Sequence, residues 1–157
     1  MHKRKTWKEK LHDTKDLPKV VKLTGKQAER WGEGTMAIPS PTEVDAIMKK
    51  VPKGKLTTIN NIRNKIAVKH GATIACPITT GIFAWIAAHA AEEERAEGKK
   101  RITPWWRTLK EGGVLNPKYP GGVQRQMELL EAEGHTVVPK GKKNFKVLDY
   151  EKKLVKV

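Results

Sequence analysis

Val51-Pro52-Lys53-Gly54-Lys55-Leu56-Thr57-Thr58 ends one helix and opens another. Proline cannot continue a helix, Lys-Gly-Lys supplies a turn, and the threonine pair offers a side-chain oxygen to the free amides of the next helix. Upstream, Pro39-Ser40-Pro41-Thr42 starts the helix that Pro52 stops. Ser40 caps it, Pro41 suits its first turn, and Glu43 and Asp45 suit its positive end. Val44, Ile47, Met48 and Val51 recur there at helical spacing. Downstream, Ile59, Ile62 and Ile66 predict the inward face of a helix over 59–68, ended by Gly71. Pro77 starts a third helix reaching residue 97, with Ile78, Ile82, Phe83, Trp85 and Ile86 as its expected apolar face and Gly98 closing it.

Beyond it, Lys99, Lys100 and Arg101 make a basic turn, and residues 102–109 read as a short strand or extended loop. Gly112-Gly113 and residues 116–122 are loop by composition. A fourth helix is expected over 123–132, ending at Gly134. Residues 135–138 and 145–148 read as strands around a basic turn, 139–144, and so as a hairpin. Helix, turn, helix and basic hairpin together predict an α+β, mainly helical fold. Its form is a winged helix-turn-helix with a small C-terminal β-hairpin wing, in 39–157. In that layout one helix enters a groove and the wing touches backbone. Residues 1–38 carry dense Lys and Arg with sparse apolar residues, and are expected to be a basic, largely flexible extension with a short helix near 26–31.

The chain of 157 residues has 32 Lys and Arg against 17 Asp and Glu, a formal net charge of +15. That surplus points to a polyanion, nucleic acid first, because neutralising phosphates releases counterions. One cysteine, Cys76, excludes an internal disulfide. Five histidines and that cysteine show no metal-ligand spacing, and no cofactor-binding motif stands out, so neither a metal nor a cofactor is expected. No apolar run follows Met1-His2-Lys3-Arg4-Lys5, which predicts no signal peptide and a cytoplasmic or nucleoid-associated location. The stretch 71–91 lacks Lys, Arg, Asp and Glu, yet Pro77 and several polar residues break it. It reads as a buried helix with its approach loop, not a membrane span.

Thr103-Pro104-Trp105-Trp106-Arg107 lies between the segment 51–58 and two later ones, Tyr119-Pro120-Gly121-Gly122 and Leu129-Leu130-Glu131-Ala132-Glu133-Gly134. In this order the four resemble the DNA-binding domain of the alkylguanine-DNA alkyltransferases, and Val147-Leu148-Asp149-Tyr150 resembles that family's closing strand. The resemblance spans 41–150. The family's central motif reads Pro-Cys-His-Arg, its cysteine accepts an alkyl group, and a histidine held by a glutamate activates it. Here Trp105 matches the cysteine, Trp106 the histidine and Glu133 the glutamate. An indole cannot take an alkyl group as a thiolate does, so alkyl transfer through this site is excluded. Tryptophan at the acceptor position is similar to the alkyltransferase-like proteins, which bind damaged DNA without repairing it.

That resemblance implies a non-catalytic, monomeric protein that recognises alkylated guanine in duplex DNA and flags it for nucleotide excision repair proteins. Trp105, Trp106, Tyr119, Gly121 and Gly122 would form the lesion pocket. Thr57, Thr58, Ile59, Thr79, Thr80 and Arg107 would meet DNA, with Lys140, Lys142 and Lys143 on the wing. Trp105 and Trp106 also admit a plain packing role. Two of the family's base-flipping devices are also missing: Ile59 replaces a tyrosine, and no Arg or Lys occurs from 70 to 94 to take the place of an extruded base. These departures favour an alternative, a sequence-independent nucleic-acid-binding winged helix without the pocket. A third reading places thiol chemistry at Cys76, against which stand its apolar neighbours and its position far upstream of Pro104.

Overall fold

A computed structural model describes residues 5–157. Four helices organise it: α3 (Pro41–Lys49), α4 (Ile59–Lys69), α5 (Pro77–Ala96) and α6 (Gly122–Ala132). The expected caps are present. The Ser40 hydroxyl accepts from the Glu43 amide, and the Thr58 hydroxyl from the Asn61 amide. Each satisfies one of the amides that a helix start leaves free. With three short sheets among the helices, the fold is α+β, as expected.

The buried face of α5 corrects the expectation. Ala84, Ala87, Ala88 and Ala91 turn inward, while Ile78 and Ile82 face solvent. The alanines recur at spacings of three and four, and such a stripe lets neighbouring backbones approach closely. Drawing the face through the largest side chains selected the wrong side of the helix start. Against the alanine stripe pack Val44 and Met48 of α3, Ile62 and Ile66 of α4, Trp105 and Tyr119.

Residues 5–38 of the expected extension form short helices and strands, and residues 1–4 of it lie outside the described residues. Helix α1 (Trp7–His12) begins with a reciprocal cap between Thr6 and Glu9. Trp7 stacks on His89 at 4.4 Å and meets the edge of Trp85 at 4.6 Å. Leu11 is buried in the core, and the Lys8 amide donates to the Glu93 carboxylate of α5 at 2.8 Å. Trp7 and Leu11 stand four apart, on one helical face. Two well-spaced apolar residues anchor the segment although its apolar density is low. Then follow β1 (Lys19–Lys22), α2 (Gly25–Trp31) and β2 (Thr35–Ile38). β1 pairs antiparallel with β2, and β2 runs parallel to β4 (Ile74–Ala75), placing Ala37 in the core.

Two further pairings shape the other half. β3 (Thr57–Thr58) runs parallel to β5 (Thr108–Leu109), which ties the tryptophan segment to the start of α4. β6 (Val137–Lys140) and β7 (Asn144–Val147) form an antiparallel hairpin, two residues nearer its tip than the sequence patterning suggested at the first strand. Gly141 takes the left-handed turn position there, at φ +67°. A second core gathers Leu56, Leu109, Leu115, Leu130 and Val147 beneath α6 and the hairpin. The chain returns to cover it. The Leu56 amide donates to the Lys153 carbonyl at 2.9 Å, and the Leu56 carbonyl accepts from the Val155 amide at 3.0 Å.

Candidate nucleic-acid interface

The tryptophan segment makes a single 3-10 turn, Trp105–Arg107. Trp105 is 0% exposed. Its indole N–H donates to the Glu92 carboxylate at 3.2 Å, and its ring meets Tyr119 edge-on at 5.5 Å and Trp106 at 5.8 Å. Burial pushes the Tyr119 phenol above its ordinary range. The lesion pocket expected around Trp105 and Tyr119 is thus closed in this arrangement. The two rings pack on each other and leave no open face for a base.

Trp106 is half-buried and joins both cores. Its indole N–H donates to Glu133 at 3.0 Å. Arg107 grips the same carboxylate, with Nε at 2.9 Å from Oε1 and Nη2 at 2.6 Å from Oε2, and its Nη1 donates to the Val51 carbonyl at 2.7 Å. Burial alone would raise the Glu133 pKa. The hydrogen bonds from Arg107 and Trp106 and the guanidinium charge outweigh it, and hold the carboxyl below its ordinary value. The residue pair that the resemblance matched to an activating dyad is therefore a structural clamp between this turn and the end of α6.

Gln126 is a positioning residue that sequence reasoning missed. Fully buried on α6, it donates through Nε2 to the carbonyls of Trp106 at 3.2 Å and Thr108 at 3.4 Å, and accepts the Asn116 amide at 2.9 Å. It thereby fixes the tryptophan turn to the loop carrying Tyr119. Its signal in the sequence was weak: one polar residue four before Leu130, on the buried side of α6. Gly121, at φ +75°, opens the helix after that loop. A Cβ there would fall 2.5 Å from the Arg125 Cβ, so the tight entry requires glycine.

The remaining nominated residues divide by exposure. Lys140, Lys142 and Lys143 are exposed around the hairpin tip, and Gly121 is exposed with Gly122 half-buried. Thr57 and Thr58 are buried, one inside β3 and one spent as a cap, so their side chains serve the fold rather than a surface. Thr80 is buried and donates to the Cys76 carbonyl at 2.7 Å. Thr79 and Ile59 are half-buried, and Arg107 is held by Glu133. Cys76 caps α5, with Sγ 3.0 Å from the Thr79 hydroxyl and 3.5 Å from its amide. Among the described residues no cluster of His, Cys, Asp and Glu is placed to hold a metal ion, and no helix is long and apolar enough to cross a membrane.

Two open features flank this framework. A cleft of about 810 Å³ runs beside Trp106, lined by Lys49, Arg95, Lys100 and Arg101 among others. A groove of about 650 Å³ lies between the first turns of α5 and the loop at Asn116 and Pro117, with Lys110 and Lys118 on its wall. Sequence reasoning nominated neither lysine.

No family model and no curated protein matches the chain. Two solved structures do. One is the crystal structure of S. pombe Atl1 in complex with damaged DNA containing O6-carboxymethylguanine, 22% identical with a TM-score of 0.52. The other is a crystal structure of S. pombe ATL in complex with DNA, 22% identical with a TM-score of 0.53. Each likeness covers 74% of this chain and 94% of the other. With tryptophan in the central turn and glutamate clamped behind it, the chain shares its fold with the alkyltransferase-like protein Atl1.

Proposed function

We propose that this protein is a non-catalytic DNA-binding protein that recognises alkylated guanine in duplex DNA and marks it for nucleotide excision repair. The observation that carries the reading is Trp105. By the sequence resemblance it matches the alkyl acceptor, the chain shares its fold with a protein solved on O6-carboxymethylguanine DNA, and an indole has no nucleophilic thiolate to offer. The net charge of +15 and the exposed Lys140, Lys142 and Lys143 at the hairpin tip supply the phosphate contacts expected of a wing. Lesion recognition then requires Tyr119 and its loop to lift from Trp105, which frees an aromatic face for the base. The monomer is the expected binding unit.

The closed Trp105–Tyr119 contact, together with a recognition helix bearing no Lys or Arg from 70 to 94, favours a second reading. In it the protein binds nucleic acid without regard to sequence or damage. Tryptophan fluorescence with two matched duplexes, one carrying O6-methylguanine and one guanine, separates the readings across several salt concentrations. Preference for the lesion supports the first. Equal affinities with steep salt dependence support the second. Transfer of label from alkylated DNA to protein, abolished by Cys76→Ser, would overturn both in favour of thiol chemistry.

A further inference from the structure

Among the described residues the exposed large apolar side chains are Val20, Val68, Ile78, Ile82 and Leu148. Two of these stand one turn apart at the start of α5: Ile78 is 73% exposed and Ile82 46%. Residues at this spacing share a helix face. Gly81 lies beside them, and a Cβ built there meets nothing within 4 Å, so the space next to the pair is open. Trp85, one turn further on, forms part of the floor of the same groove of about 650 Å³. Lys110 and Lys118 line its wall, both exposed, and no carboxylate is among its lining residues.

Exposed isoleucines at this density are costly in water, because each leaves aliphatic area that burial would remove. A chain with 32 Lys and Arg also puts neither on this helix until Arg95. The face is therefore unsuited to phosphates, while its rim is suited to them. An apolar ridge with a cationic border is complementary to the stacked bases of a duplex and the phosphates beside them. Proteins that deform DNA insert such aliphatic wedges between base pairs, partly unstacking one step. We infer that Ile78 and Ile82 form an apolar wedge that enters a base step of bound duplex DNA, with Lys110 and Lys118 holding the adjoining phosphates. The inference rests on the reading of this protein as a DNA-binding protein, and gives α5 a role that its lack of arginine otherwise leaves empty.

The test uses a labelled duplex for affinity by anisotropy and, in parallel, a duplex with 2-aminopurine that brightens when unstacked. The full chain is expected to bind and to raise the 2-aminopurine signal. Ile78→Ser/Ile82→Ser is expected to abolish that rise and weaken binding about tenfold, since two aliphatic side chains no longer leave water, with the salt slope unchanged. Lys110→Ala/Lys118→Ala is expected to reduce the salt slope by about 2, one for each phosphate no longer neutralised. Both isoleucines are exposed, and a thermal melt matching the parent shows that the variant remains folded. Binding without a 2-aminopurine rise overturns the wedge alone. A rise that survives the isoleucine variant also overturns it, because unstacking then has another cause. Failure of the parent chain to bind any duplex, seen by anisotropy, overturns the DNA-binding reading itself.

Discussion

Arg107 and Glu133 meet in a forked ion pair with side chains only 13% and 7% exposed. The pair connects the tryptophan turn to the end of α6, and Trp106 donates to the same carboxylate. A buried pair is not in itself strong evidence of stability, but removing one partner strands the other in a poor solvent. Glu133→Gln is therefore expected to cost about 3–5 kcal/mol, read by urea denaturation. The same change to an exposed acid such as Glu128 is expected to fall within about 0.5 kcal/mol. Equal effects of the two would refute the clamp.

Acid sensitivity follows from the same group. The Glu133 carboxyl is held below its ordinary value of 4.5 in the folded chain, so its contribution is complete above that pH and is lost as pH falls further. A melting series from pH 6 to 3 is expected to drop more steeply for the parent than for Glu133→Gln.

His135 and His89 act at milder pH. Burial lowers both imidazoles, and the buried Nε2 of His135 has no hydrogen-bond partner. A base depressed on folding takes its proton more readily in the unfolded chain. Stability from these groups is present above about 6.5 and declines as pH falls below it. His135→Gln is expected to flatten the change in melting temperature between pH 7 and 5. An unaltered slope would show that the ring is protonated at no cost.

Trp105 is sealed within the core, so its truncation carries a structural penalty. Trp105→Ala is expected to lose about 3–5 kcal/mol. Trp105→Phe keeps one aromatic ring but loses the N–H donated to Glu92 and part of the buried indole volume, at about 1–3 kcal/mol. The phenylalanine variant is expected to lose preference for alkylated DNA and to keep salt-sensitive binding. Equal loss of both would show that Trp105 holds the fold and nothing more.

Trp7→Ala is expected to release α1 from α5 and to lower stability by about 2 kcal/mol, because apolar burial and the stacking on His89 and Trp85 are removed together. Hydrogen exchange would report it, as reduced protection at residues 8–12 with α4 unaffected.

What could be read in the sequence was local chemistry with one strong cause. Ser40 and Thr58 cap as expected because a hydroxyl before a helix has one good use. Glu133, matched by resemblance to a glutamate behind the central turn, does receive the Trp106 N–H. Less legible were features that depend on what lies across the core. The α5 alanines carry no size signal, yet they are what α3 and α4 pack against. Trp7 and Leu11 looked too sparse for a core because they contribute to one built mainly by other segments. Thr57 and Thr58, nominated for DNA, are buried because short parallel pairing of β3 with β5 draws them inward, and nothing local announces a parallel partner so far downstream.

Leu56 satisfies its backbone on both sides with residues 153 and 155. On a chain emerging from the ribosome, those partners come far later than the helices that flank Leu56. The helical half can assemble first from local contacts, whereas the backbone at Leu56 stays open to water or to other chains until the C-terminal segment arrives. Slow or interrupted synthesis between these points would therefore expose unpaired backbone, and aggregation of nascent chains is expected to track that delay.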